Sequence, residues 1–403
     1  MDDKRRYYSL DALRGSMMML GIILHGSQFY ISEPIGGIPI PTDGSTSYIF
    51  NIILYFIHSF RMPLFFMLAG FFTSLLVDKH GIKGTYINRV KRIFGPFSVS
   101  LVTILPLTIL CTLAFLISAK FNTHQFIPEM EQLELLRKEM QEAGIPIGAS
   151  FAHLWFLYYL MLFYLTIPLC MMISHIIRPF KKTLDNWIAK PAMFIVLSFF
   201  TSMLLMPFRF GQVFEGFVFV KPHLPSLIYF GSFFILGYLF HQHRKILESF
   251  KSYLPWFASF AMILFPLSLY FSRLEEVAAQ PDVFLHFMAV ITNGLCTWAL
   301  IYTFMGIFLR YLDYESPWML YVSQSSYWVY LIHLPLVVFF AWCLLPFKIS
   351  AFIKYPAIVL PTMIISLVSY HYLVQRSWVS ILLNGRRFNL RWPWKVGAKL
   401  PSK

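Results

Sequence analysis

The chain has 403 residues and a formal charge of +14; 58% of its residues are hydrophobic and only 13% charged. So little charge cannot cover a soluble domain of this size, which leaves an all-α, polytopic membrane protein. The apolar runs lack the alternation of a β-barrel. The basic residues sit between those runs, so the charge reflects membrane topology rather than nucleic-acid binding.

Ten transmembrane helices are predicted, at about 15–32, 48–77, 94–118, 152–177, 192–207, 226–241, 254–271, 284–309, 318–340 and 355–375. With the N-terminus inside, the cytoplasmic segments hold 24 Lys and Arg and the outer loops 8. This asymmetry predicts that both termini are cytoplasmic. Residues 1–385 read as one membrane domain and 386–403 as a basic cytoplasmic tail. In the long loop 119–151, Met130, Leu133, Leu136 and Met140 recur at helical spacing and predict an amphipathic surface helix. The four cysteines lack paired spacing, so neither a disulfide framework nor a metal site is expected.

The first run, "DALRGSMMMLGIILHGSQFYI", carries Arg14 at its start and His25 at its centre. Eleven residues of helix turn 20° past three full turns and rise roughly 16 Å, so the two side chains share one face. Asp11, one turn before Arg14, is placed to pair with it. The second run repeats the anomaly in "HSFRMPLFFMLAGFF": His58 and Arg61 lie one turn apart near mid-depth, with Pro63 freeing backbone groups and Ala69 and Gly70 permitting close helix approach. Ionisable groups at such depth are expensive and mark function by default. "NRVKRIFGP" sets Arg89 and Arg92 one turn apart as positive-inside charge or a phosphate-binding patch. "HLWFL" places His153 and Trp155 at the head of the fourth run. In the ninth, Ser326, Tyr330 and His333 share a face ahead of Pro335. That face is either a polar seam between helices or a wall of an acceptor site.

Those stretches, in order from about residue 7 to about 385, together resemble the membrane-bound acyltransferase-3 family, and within it the branch that succinylates periplasmic glucans. The resemblance implies about ten helices in a bacterial inner membrane. It also implies O-acyl transfer from cytoplasmic acyl-CoA (succinyl-CoA or acetyl-CoA) to a hydroxyl of an extracytoplasmic glycan, with no permanently bound cofactor. It makes Arg14 and His25 essential and points to His58 and Arg61 as further catalytic residues. Arg14, Arg89 and Arg92 would hold the donor; His153, Trp155, Tyr330 and His333 would face the acceptor. Two mechanisms follow, direct transfer with His25 as general base or a covalent acyl-His25. A proton-coupled transporter of a small anion or glycan precursor is the alternative class. It is disfavoured by the scarcity of intramembrane carboxylates and by the lack of internal repeats.

Overall fold

A computed structural model describes residues 7–33, 42–122, 151–213, 222–278, 280–388 and 392, with backbone only for 120–122. The amphipathic helix expected at 130–140 and most of the basic tail lie outside the described residues. The described residues contain helices and no strand. The long elements are α1 (Tyr8–Ser27), α2 (Tyr48–Arg89), α3 (Gly95–Val102), α4 (Ile104–Asn122), α5 (Trp155–Tyr164), α6 (Ile167–Ile177), α7 (Lys181–Ile188) and α8 (Ala192–Leu205). They continue with α9 (Leu224–Gln242), α10 (Lys245–Ser252), α11 (Leu254–Val277), α12 (Val283–Tyr311), α13 (Pro317–Leu344), α14 (Ala351–Ser369) and α15 (Trp378–Asn384).

Six of the described helices are long and apolar enough to cross a bilayer, or seven if the bent pair at 152–188 is one span. The segments at 104–119 and 192–205 are shorter apolar helices. The chain is therefore a multi-pass membrane protein. Within it, α2 is central, 72% of its apolar window being buried, whereas α11 is peripheral at 22%.

Three runs depart from the expected single helices, each for a local reason. The second does not stop near residue 77; it passes a left-handed Gly81 (φ 66°) and continues to Arg89, then through a π turn at Val90–Phe94 into α3. The third breaks at Thr103, because Pro106 has no N–H for the Val102 carbonyl. The fourth bends by 53° between α5 and α6, where Pro168 likewise leaves the Tyr164 carbonyl without its helical donor.

Two helix contacts fix the site's frame. α2 and α9 cross at Gly70 and Gly237: a Cβ at Gly70 would overlap the Phe234 carbonyl, and one at Gly237 the Met67 carbonyl. Neither helix could come this close with any larger residue. α1 packs along α13, where Gly15 meets the backbone of Ser323 at 3.1 Å from its would-be Cβ. Both functional faces expected from the sequence, on α1 and on α2, thereby turn inward.

Candidate active site

Arg14, Arg89 and Arg92 come together around one cleft of about 500 Å³, with Arg386 on its rim. The volume falls in the usual range for a cofactor or small-molecule site. Arg14 pairs with Asp11 at 3.3 Å, as the helix spacing predicted, and donates to Ser323 Oγ at 3.2 Å. Among the described residues Arg89, Arg92 and Arg386 pair with no carboxylate, and Arg89 Nε is buried without a partner. The cleft is thus an uncompensated cationic site, a natural receptor for an anion. Two cations elsewhere are neutralised: Lys354 is buried against Asp43 (2.7 Å), and Arg273 pairs with both Glu33 and Glu276.

The lining of the cleft includes Met18, Phe65, Phe156, Leu157 and Ser326. Each of these lies one or two helical turns short of a second cluster. Phe156 makes the junction: it lines the cleft and packs its ring 5.8 Å from that of Tyr330.

That second cluster joins His25, His333, His153, Tyr330 and Arg61. The His333 ring sits 5.3 Å from His25 on one side and 5.3 Å from His153 on the other. In each ring one nitrogen is committed. His25 Nδ1 lies 3.0 Å from Gln28 Oε1, His333 Nδ1 lies 2.6 Å from the Tyr330 carbonyl, and His153 Nε2 lies 3.0 Å from the Leu331 carbonyl. All three partners are acceptors, so each committed nitrogen carries its proton and donates. In the neutral rings the opposite nitrogens, His25 Nε2, His333 Nε2 and His153 Nδ1, are then lone-pair acceptors. Those of His333 and His153 are buried without a partner.

Proline chemistry explains why a helical carbonyl is open to His153. Pro335 cannot donate to Leu331, four residues earlier, and His153 takes that acceptor. The same device operates on α2, where Pro63 frees the Ser59 carbonyl and Thr297 Oγ1 donates to it at 2.9 Å. Tyr330 completes the link by donating to the His153 carbonyl at 2.6 Å.

Arg61 is the cluster's cation. Among the described residues it makes no ion pair, and its Nη2 reaches only the weak acceptor Met62 Sδ at 3.7 Å. It extends across α1 at Gly21, where a Cβ would stand 2.9 Å from Arg61 Nη1 and 3.4 Å from His333 Nε2. Gly21 therefore holds open the space in which the guanidinium and the imidazoles meet.

Two expected site residues lie elsewhere. Trp155 is packed among Phe66, Tyr159 and Phe230 as part of the aromatic core. His58 donates from Nε2 to the Val213 carbonyl at 2.8 Å and lines a separate, smaller cavity. Sequence reasoning missed Gly21, Gln28 and Arg386. Gln28 stands at i+3 from His25 and Gly21 at i−4, so helical spacing contained the signal for both.

A profile described as an acyltransferase domain matches residues 7–371. The chain belongs to the acyltransferase-3 family. Over 394 residues it is 24% identical to the glucans biosynthesis protein C of Salmonella paratyphi B, covering 94% of this chain and 95% of that protein. It is 25% identical over 351 residues to the protein of the same name from Escherichia coli O139:H28, covering 83% of each. No solved structure matches the chain. Membership of the acyltransferase-3 family makes this membrane protein an acyltransferase and gives the two clusters a reaction to divide between them.

Proposed function

We propose that the protein is a transmembrane O-acyltransferase, taking an acyl group from cytoplasmic acyl-CoA and placing it on a glycan hydroxyl across a bacterial inner membrane. The observation that carries this reading is the order of residues along α1, α2 and α13, with Phe156 lining the cleft and packing against Tyr330 of the cluster. A cleft with three arginines that pair with no carboxylate among the described residues lies a few helical turns from His25 and the half-buried Arg61, which makes no ion pair among them. In this reading the arginine end faces the cytoplasm, both termini are inside, and about ten helices cross the membrane. A glucan is the first acceptor to test, because the relatives' name refers to glucan biosynthesis. Acetyl-CoA and succinyl-CoA are the donors.

The phosphates of the donor bind to Arg14, Arg89, Arg92 and Arg386 through charge-assisted hydrogen bonds. Its pantetheine arm lies between Met18, Phe65, Leu157 and Phe156, and the thioester reaches His25. The rise of roughly 16 Å from Arg14 to His25 suits that arm. Gln28 keeps the proton of His25 on Nδ1, so Nε2 is the base. The acceptor hydroxyl attacks the thioester carbon and gives its proton to His25 Nε2. Arg61 stabilises the developing oxyanion. The C–S bond then breaks, and the proton on Nε2 passes to the departing thiolate. Charge and atoms balance without any further group.

The test uses purified protein, labelled acyl-CoA and a gluco-oligosaccharide. Acyl-CoA-dependent labelling of the sugar, lost in His25→Ala, supports the proposal. Uptake of the acyl compound into proteoliposomes with no CoA released would contradict it and favour a carrier. An acyl-His25 adduct trapped by mass spectrometry in the absence of acceptor would replace direct transfer with the covalent route.

A further inference from the structure

The cavity beside His58 lies next to Arg61 on α2. Along α2 the cleft is lined by Phe65, Ala69 and Phe72 and the cavity by His58, Ser59, Met62 and Pro63. Met62 links the cavity and Arg61: it lines the one, and its Sδ lies 3.7 Å from Arg61 Nη2. The far wall is the chain between α8 and α9, which turns inward at residues 209–213. Phe210 and Gly211 both have left-handed backbone (φ 61° and 60°), and a Cβ on Gly211 would lie 2.8 Å from the Ala289 backbone of α12. The turn is tied down by Ser272 Oγ, which donates to the Phe210 carbonyl (2.9 Å), and by Asn293 Nδ2, which donates to Ser272 Oγ (2.8 Å) and to the Ala289 carbonyl (2.8 Å).

These bonds leave one atom open. Gln212 donates from Nε2 to Asn293 Oδ1 at 3.4 Å, but its Oε1 is buried with no partner, on a residue only 7% exposed that lines the cavity. A buried amide oxygen without a donor is expensive; the group that satisfies it must donate a proton, and an uncharged donor is buried there at the lower cost. The space is about 20 Å³, enough for one water or one hydroxyl oxygen but not for a sugar ring.

We propose that Gln212, in the inward turn between α8 and α9, receives a hydroxyl of the acyl acceptor and holds the acceptor next to Arg61. The ligand class is a neutral polyhydroxyl compound, one hydroxyl of which enters the cavity while a neighbouring one is presented to the thioester. This rests on the acyl-transfer reading for its chemistry, but the binding itself needs no donor.

Two variants separate ligand binding from structural support. Both Gln212→Met and Gln212→Glu lose the N–H donated to Asn293 at similar volume; Gln212→Met also removes Oε1, whereas Gln212→Glu keeps an acceptor oxygen. Each is compared with the wild type by the acceptor KM and, with no acyl-CoA present, by saturation-transfer NMR of a gluco-oligosaccharide on detergent-purified protein. Thermal unfolding is followed in parallel. The expected result is an acceptor KM raised about tenfold and a weakened NMR signal for Gln212→Met, with donor KM unchanged and Gln212→Glu impaired less than Gln212→Met. Wild-type KM and NMR signal in Gln212→Met would overturn the proposal and leave the cavity to a structural water. Equal losses in both variants with lowered thermal stability would overturn it too, in favour of a brace for the turn. Oligosaccharide binding without acyl transfer by the wild type would sink the transferase reading and leave this subsite standing. Transfer that ignores Gln212→Met would do the reverse.

Discussion

The arginine cleft and the histidine cluster lie a few turns apart on the same helices, yet they are built on opposite principles. The cleft is roomy and charged, and three of its four arginines have no counter-charge among the described residues. The cluster is tight, and its three rings are pinned through one nitrogen each by Gln28, Tyr330 and Leu331. A site that binds a mobile anion tolerates imprecision, because Coulomb attraction falls off slowly. A site that moves a proton does not, because a ring turned by one tautomer loses its base. The difference teaches which residues should tolerate conservative change. Charge should suffice in the cleft, whereas geometry should decide in the cluster.

The sharpest break of that comparison is His25→Ala, which should lower kcat at least about 1,000-fold while the protein elutes and melts as wild type. Steady-state release of CoA thiol measures it. Next comes Arg61→Gln, expected to cost roughly 100- to 1,000-fold in kcat, the usual scale for losing an oxyanion donor. Arg61→Lys should recover little of this, since an ammonium cannot span Gly21 as the guanidinium fork does. Smaller again is Gly21→Ala. Its methyl would stand 2.9 Å from Arg61 Nη1, so the guanidinium must shift, and about a tenfold loss of kcat with unchanged donor KM is expected. Smallest are Arg89→Gln and Arg92→Gln, each raising the donor KM about tenfold with kcat preserved. Their effect should shrink as salt is added, whereas that of Arg61→Gln should not.

Much of this division was legible in the sequence because it follows from helix periodicity. The shared face of Arg14 and His25, the Asp11 pair and the Tyr330–His333 face all follow from residues three, four or eleven apart. What could not be read was which helix meets which. His153 finds the Leu331 carbonyl across 178 positions of chain, and only the missing N–H of Pro335 hinted that this carbonyl would be open. Hydropathy ran through Pro106 and Pro168 as though each apolar run were one helix, so the break at Thr103 and the bend after Tyr164 were missed. Arg386 was assigned to a tail because its charge resembles the residues that follow it. In the structure Ser380 Oγ donates to its carbonyl, and its side chain reaches the cleft.

The central claim is that the arginines hold the donor and the histidine cluster performs the transfer. It is tested most directly by measuring kcat/KM for acyl-CoA and for the corresponding acyl-pantetheine, which lacks the nucleotide and its phosphates. Wild type should prefer acyl-CoA strongly; Arg89→Gln combined with Arg92→Gln should lose most of that preference while still turning over acyl-pantetheine at the wild-type rate. His25→Ala should be inactive on both. If the arginine variant slows both donors equally, or if His25→Ala still transfers from acyl-pantetheine, the two clusters do not divide the reaction as described.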